Sequence, residues 1–478
     1  MKGVVGVYSH KDAAIKGVHN LYGVNSRGQE SAGMSVAGNY SLRTWKGKGL
    51  VSGVFNENFK SFVHPTDYVA IGAVSSEDAD VSIPPIEVEN EKYKISFAID
   101  GHLSGEGRYP ESFIQFWFET HVERPSLASM AELMKELEEN LDMAYYCFVA
   151  AVYHKDGDGG GDVGGRRNVG GGGYSELYVA RDSRGIRPLH MASNEDEVFI
   201  TSESSPMDVL NVELTERKDI TPGSLIKINY EGVEEEQVFR PNRAHCAFEW
   251  VYFARPDSVI EGKTVHSVRN RLGHALVETH NLKEEYGLDK GLNVGSREDL
   301  VVIPVPDSGR SVFVGVTEGL GVTGNEGVIK NAYFGRTYII DDPEFRQIAS
   351  DLKHNIIREV VEEKKVIITD DSIVRGTVSE SIAKHLRKAG AVEVDYLVSY
   401  APIFHPCFSD PDDKPLAAAA YKGKNIFEIG DLVASNLPSI NKVRYNSVEN
   451  VVNAIGLPEC ELCMMCITGE NPFDSESE

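Results

Sequence analysis

The sequence predicts an α+β half followed by an α/β half, and three observations lead there. Lys365-Val366-Ile367-Ile368-Thr369 carries a β-branched run of the length of a buried parallel strand. It runs into Asp370-Asp371, after which Ser379 to Lys388 reads as a helix with Ile382, Ala383 and Leu386 on one face and Gly390 as its stop. Leu300-Val301-Val302-Ile303-Pro304 repeats the strand-to-loop form and leads into Asp307-Ser308-Gly309-Arg310-Ser311. In the first half, Tyr146 to Tyr153 and Leu177 to Ala180 are short and apolar, as sheet-on-sheet packing requires.

The bounds agree with such a chain. Its 478 residues suffice for two domains or more, and 41% apolar with 25% charged residues is ordinary globular composition. A formal charge of −25 argues against a nucleic-acid surface or an anionic membrane partner. It leaves room for an anionic small ligand held by local amides and a few basic residues. Met1-Lys2-Gly3-Val4-Val5-Gly6-Val7-Tyr8 lacks signal-peptide form, and no apolar run approaches membrane-spanning length. A cytoplasmic enzyme is expected.

Taken in order, Val4 to Tyr8 reads as a strand and Asp12 to Tyr22 as a helix. Between Asp156 and Gly173 lies a glycine-rich stretch without the strand-to-helix flanks or Lys-Ser/Thr ending of a phosphate loop, and without the closing Glu of a calcium loop. It reads as a mobile hairpin insertion. The acidic run Glu231 to Gln237 and Arg240-Pro241-Asn242-Arg243 read as a linker. A helix is expected from Val265 to about Thr279, then a polar added loop from Asn281 to Arg297.

The two strand-to-loop elements carry the chemistry. Gly309 and Arg310 offer the small residue and the cation that a phosphate-binding turn needs. Asp370 and Asp371 suit ribose hydroxyls or a metal, and the amides from Ile373 to Thr377, at a helix N-terminus, suit a phosphate monoester. The fragment alone reads equally well as a turn and a helix cap.

Six cysteines in so long a chain do not form a disulfide scaffold. Cys463-Met464-Met465-Cys466 is open to zinc, redox chemistry or no role. Cys147, inside the apolar run Ala144 to Val152, reads as a small core residue.

Lys365 to Val378 resembles the phosphoribosyl-diphosphate (PRPP) motif of type I phosphoribosyltransferases. Its Asp-Asp-Ser-Ile-Val-Arg-Gly-Thr wording resembles the glutamine PRPP amidotransferases. Arg27-Gly28-Gln29-Glu30-Ser31-Ala32-Gly33, Ala180 to Leu189, Thr201-Ser202-Glu203-Ser204, Asp219 to Gly223 and Cys246 to Ser258 are similar to that family as well, as is the loop Ile329 to Thr337. The resemblance runs from Gly3 to about Asn471.

It implies an αββα N-terminal-nucleophile-hydrolase-like sandwich over 1–235, a linker over 236–262, a doubly wound parallel-sheet phosphoribosyltransferase domain over 263–440, and a C-terminal segment over 441–478. It implies PRPP binding by Asp307, Ser308, Gly309, Arg310, Ser311, Arg336, Asp370, Asp371, Ser372, Ile373, Val374, Arg375, Gly376 and Thr377. Lys330, Asp370 and Asp371 would be catalytic, with magnesium near Ser308, Asp370 and Asp371. Cys246, Cys407, Cys463 and Cys466 stand where iron–sulfur members carry ligands, implying a structural 4Fe-4S cluster, with zinc as the rival; Cys460 is extra.

Departures from the family fall in its glutaminase half. The nucleophilic cysteine's position is Lys2, whose bulk should also block removal of Met1. The Arg that clamps the glutamine carboxylate is Ser75, and the Asn of the oxyanion hole is Asp100, whose charge would repel an oxyanion. The acidic residue for the glutamine amine is not recognisable between Glu106 and Ser112. The glutaminase site is expected to be inactive. In the transferase half an Arg usual after Asn331 is Ala332, and basic residues are missing around Asp351.

The expected activity is formation of 5-phosphoribosylamine, in purine synthesis, from PRPP and ammonia that is free or supplied by a partner. The alternatives are a regulatory or scaffold subunit that binds PRPP or purine nucleotides beside an active amidotransferase, and ribose-phosphate transfer to another amine or a base. Purine nucleotide effectors and a homo-oligomer are expected.

Overall fold

The computed structural model describes residues 1–77, 82–103, 110–141, 143–155, 173–210, 212–288, 299–331, 354–408 and 414–474. All of the expected insertion at 156–173 except Gly173, and Arg336, Ala332 and Asp351, lie outside the described residues.

Two antiparallel sheets fill the first half. One runs, edge to edge, Glu216–Asp219, His190–Ser193, Glu197–Thr201, Lys2–Ser9, Asp67–Ser75, Ser31–Gly38 and Leu42–Lys48. The other runs Gly232–Gln237, Ser224–Asn229, Tyr174–Arg181, Ala144–His154, Tyr93–Leu103 and Ile86–Glu89. Alternation along each strand sends one set of side chains between the sheets, where Val4, Ile71, Cys147, Val149, Val179 and Ile226 pack together. The opposite set meets helices. Val5, Val7, Met34 and Phe199 pack on Leu21 and Val24 of helix Ala13–Val24. Ile95, Phe97 and Phe148 pack on Ile114 and Phe118 of helix Pro110–His121 and on Met130 and Leu137 of helix Leu127–Glu139. The layers are helix, sheet, sheet, helix, as expected.

One expectation is corrected. The acidic run read as linker forms the edge strand Gly232–Gln237, paired with Ser224–Asn229. Gly232, at φ 122°, completes the tight turn between them. The run's charges suit an unpaired edge, where they discourage further strand pairing, and Lys218 pairs with Glu235 at 2.6 Å.

The second half holds a parallel sheet in the order Leu300–Pro304, Lys365–Asp370, Glu393–Val398 and Lys442–Tyr445. Val302, Ile367 and Leu397 face Leu276 of helix Val265–Thr279 and Val312 and Val316 of helix Arg310–Leu320. Ile303, Ile368, Tyr396 and Val398 face Ile382 and Leu386 of helix Thr377–Lys388 and Ile429 and Val433 of helix Ile426–Ser435. Both faces are covered, which buried parallel strands require. The expected helix at Ser379 begins two residues earlier, and the polar stretch after Asn281 opens with a helical turn, Leu282–Glu285.

The C-terminal segment returns to the junction of the halves. Leu462–Cys463 pairs in parallel with His245–Cys246, and Met464 and Ile467 join Trp250, Val251 and Tyr400 in one buried cluster.

Candidate active site

Adjacent parallel strands end together, with Pro304 beside Thr369. The chain after Pro304 turns back on its neighbour: the Val305 amide donates to the Thr369 carbonyl at 2.9 Å. Gly309 is required here, because a Cβ on it would lie 2.0 Å from that same carbonyl oxygen. This contact brings Ser308 over the second strand's end, where its hydroxyl donates to Asp370 Oδ1 at 2.7 Å.

Asp370 is held on both oxygens. Its Oδ1 also accepts from the Asp371 amide at 2.9 Å, and its Oδ2 accepts from the Tyr396 hydroxyl at 2.6 Å. The Ser372 hydroxyl donates to Asp371 Oδ2 at 2.6 Å. Main-chain bonds fix the pair from behind: Ser399 and Tyr400 donate their amides to the carbonyls of Asp370 and Asp371 at 3.0 and 2.9 Å. Both carboxylates are buried. Burial and the neighbouring Asp370 push the Asp371 carboxyl well above the usual carboxylate range.

The following turn is anchored by Ile373, which sinks into the core, while Val374, Arg375 and Thr377 are exposed. Gly376, at φ +82°, lets the chain enter helix Thr377–Lys388. In the turn that carries Ser308, Asp307 stands 3.4 Å from Arg310 Nε and 3.5 Å from Lys330 Nζ. Lys330 ends a short ribbon, Val328–Lys330 paired with His354–Ile356. An acid pair, hydroxyls, a helix N-terminus and two cations beside Asp307 suit a ligand bearing both hydroxyl and phosphate groups.

Ser308, Asp370, Asp371 and Ser372 are thus drawn together, with Arg310 and Lys330 beside Asp307. Ser311 is placed differently: its hydroxyl bonds His266 Nδ1 at 3.0 Å, leaving only its main chain at the turn. Tyr396 was missed by sequence reasoning. It lies one strand away, beside Ile368 in register, and nothing local marks its reach to Asp370.

Residue 2 lies in a second polar centre. Lys2 is buried, its Nζ paired with Glu111 and, at 3.1 Å, with Glu77. Its amide donates to Asp100 Oδ1 at 3.1 Å. Asp100 faces Arg27, Nη1 at 3.8 Å, and fully buried Arg27 also binds Glu203 at 2.8 Å and Glu249 at 2.6 Å. The Met1 ammonium donates to Ser76 Oγ at 2.9 Å. Cys147 is fully buried, as expected, and burial pushes its thiol well above the usual range.

Cys246, Cys463 and Cys466 lie near where the C-terminal segment crosses the linker, with Cys407 close enough to act on them electrostatically. Cys246 and Cys463 are register partners, and the Cys466 sulfur lies 3.4 Å from the Tyr400 hydroxyl. Burial, with the neighbouring thiols, raises the Cys463 thiol to about 11 and the Cys466 thiol to about 12. Among the described residues, no group of three or more His, Cys, Asp and Glu side chains is arranged to hold a metal ion. Among those residues no helix is long and apolar enough to cross a membrane.

A protein of Methanothermobacter thermautotrophicus named amidophosphoribosyltransferase is 31% identical over 500 aligned positions, covering 100% of this chain and 95% of its own. The chain belongs to the amidophosphoribosyltransferase family. A Pyrococcus horikoshii member is 33% identical over 489 positions, covering 98% of this chain and 96% of its own. The solved glutamine PRPP amidotransferase of Bacillus subtilis, complexed with ADP and GMP, superposes with a TM-score of 0.77 at 28% identity, covering 98% and 97%. No protein-family model matches the chain. The amidophosphoribosyltransferase fold therefore extends over both halves described above, including the half that carries Lys2.

Proposed function

We propose that this chain forms 5-phosphoribosylamine from PRPP and ammonia in purine synthesis, and that it does not hydrolyse glutamine itself. Family membership supports the transfer. The observation that carries the choice of nitrogen donor is Lys2, which stands where a nucleophilic thiol is needed and whose amine is engaged by Glu111 and Glu77. Asp100 adds a negative charge where an oxyanion would need donors. The division at 1–235, 236–262, 263–440 and 441–478 is retained, with the first sandwich as a support for the transferase.

Amides from Ile373 to Thr377 hold the 5′-phosphate at the helix N-terminus. Asp370 and Asp371 orient the ribose hydroxyls, their positions fixed by Tyr396, Ser308 and Ser372. Ammonia attacks C1 as the bond from C1 to the pyrophosphate oxygen breaks; the nitrogen then sheds a proton to water. Arg310 and Lys330 offset the charge of the leaving pyrophosphate. Ser308, Asp370 and Asp371 would hold a magnesium ion arriving with PRPP, which would supply further charge neutralisation. Most of the catalysis is then positioning and charge compensation.

The four cysteines, from three chain segments, are the donor type of a 4Fe-4S cluster and would hold one in a structural role only after the thiols draw closer than they stand here, since among the described residues no three are arranged around a metal. Zinc is distinguished by the absorbance of anaerobically purified protein. ADP and GMP in the Bacillus subtilis structure support purine nucleotides as effectors.

The test supplies purified protein with PRPP and magnesium and reads pyrophosphate. Release with ammonium and not with glutamine is expected. Release with glutamine alone contradicts the reading, and release with neither, while PRPP still binds, supports a regulatory subunit instead.

A further inference from the structure

We propose that Lys2 sets the nitrogen-donor specificity of this chain, because its ammonium permanently fills a seat for an ammonium group formed by the Glu111 and Glu77 carboxylates and so shuts amino acids out. The proposal rests on the ammonia-using reading and gives it a physical cause.

A lysine is almost never buried without partners, since removing its charge from water costs several kcal/mol. Lys2 is 3% exposed, and Glu111, in the first turn of helix Pro110–His121, is 4% exposed. Glu77 follows strand Asp67–Ser75 and is 45% exposed, so the seat meets solvent on that side. Two carboxylates from separate elements thus converge on one ammonium.

The backbone keeps this ammonium in place. Lys2 pairs with Ser75 across the sheet, and its amide is tied to Asp100. Met1 is clasped by Ser76, whose amide and hydroxyl donate to the Met1 carbonyl at 3.0 and 2.7 Å. Asp100 Oδ2 is buried and has no hydrogen-bond partner. Arg27 Nη1 faces that oxygen at 3.8 Å and shares its charge, so the ammonium of Lys2 is held by Glu111 and Glu77. Burial pulls the Lys2 ammonium down, but Glu111 and Glu77 more than compensate and hold it above the usual lysine value. A tethered ammonium acts at an effective concentration of about millimolar or more, so a free amino acid competes poorly for the same carboxylates.

The test is thermal unfolding of the full chain and of Lys2→Ala, with n-butylammonium, L-glutamine or tetramethylammonium chloride added at equal ionic strength. Butylammonium carries the ammonium and the four-carbon chain of lysine, one carbon more than the segment alanine removes. The melting temperature of Lys2→Ala should rise by several degrees with butylammonium and to a smaller extent with glutamine. The unaltered chain and Lys2→Met, whose side chain still fills the seat, should not respond. Equal responses in all three proteins, or none in Lys2→Ala, overturn the proposal. Should Lys2→Ala not fold, reductive methylation of the unaltered chain decides: Lys2 should remain unmodified while surface lysines react, and modification at their rate refutes the seat. These readouts do not depend on turnover. Glutamine-driven pyrophosphate release would sink the ammonia reading separately, and failure of the seat would leave that reading standing.

Discussion

The Ser308 hydroxyl donates to Asp370 Oδ1 at 2.7 Å, joining the loops that leave two neighbouring parallel strands. One loop resembles a pyrophosphate turn and the other a ribose-phosphate floor, so this single bond sets the distance between the two ends of the proposed substrate. A hydrogen bond to a charged group contributes about 1.5–3 kcal/mol. Ser308→Ala should raise the KM for PRPP by about 10- to 100-fold on that scale, measured as pyrophosphate release at saturating ammonium. An unchanged KM would remove Ser308 from the site.

Gly309→Ala should be costlier than its size suggests. The added Cβ would lie 2.0 Å from the Thr369 carbonyl oxygen, a main-chain atom that cannot rotate away. Overpacking of this kind costs about 1–3 kcal/mol, and the turn must shift off the strand end. Lower urea midpoint together with lost PRPP binding is expected; binding at the unaltered level would show that the turn tolerates displacement.

Arg27→Met should be among the most destabilising substitutions in the first half. Fully buried Arg27 is the shared cation of Glu203, Glu249 and Asp100. Its loss strands buried carboxylates, at about 3–5 kcal/mol for a broken buried pair. Chemical denaturation measures this, and a midpoint within error of the unaltered chain would refute the role.

One contribution to stability should fall as pH rises from about 4.5 to 7. Burial and nearby Asp182 push the Glu138 carboxyl up to about 7. The folded state then holds a proton that the unfolded state releases nearer 4.5, so folding is favoured at the acid end of that window and loses this contribution through pH 7. His245 acts oppositely over an overlapping range. Burial and Arg181 lower it to about 4, so its contribution is present above about 6.5 and is lost as pH falls towards 4. Glu138→Gln should lose only this contribution, so its melting temperature relative to the unaltered chain should rise between about pH 5 and pH 7, and a constant difference would contradict the assignment.

Much of the fold was legible because its signals are local. The β-branched run before Asp370, the apolar strands of the sandwich and the face of helix Thr377–Lys388 are each written within a dozen or so residues. The acid pair and the turn at Gly309 could be read for the same reason. What escaped depends on pairing across long separations. Nothing near Tyr396 announces that its hydroxyl reaches Asp370, nor near Glu111 that it meets Lys2. The strand Gly232–Gln237 was taken for linker because its charges mask β propensity; only its partner Ser224–Asn229 reveals it. Ser311 shares a motif with ligand-facing residues, yet the helix places its hydroxyl against His266.

The most direct test of the central claim gives the protein PRPP, magnesium, nitrogen-15 ammonium and unlabelled glutamine together, and reads the isotope in the phosphoribosylamine formed. Nitrogen-15 product is expected, at a rate that added glutamine does not raise. Unlabelled nitrogen drawn from the glutamine amide would contradict it, and would mean that the half carrying Lys2 retains a working glutaminase.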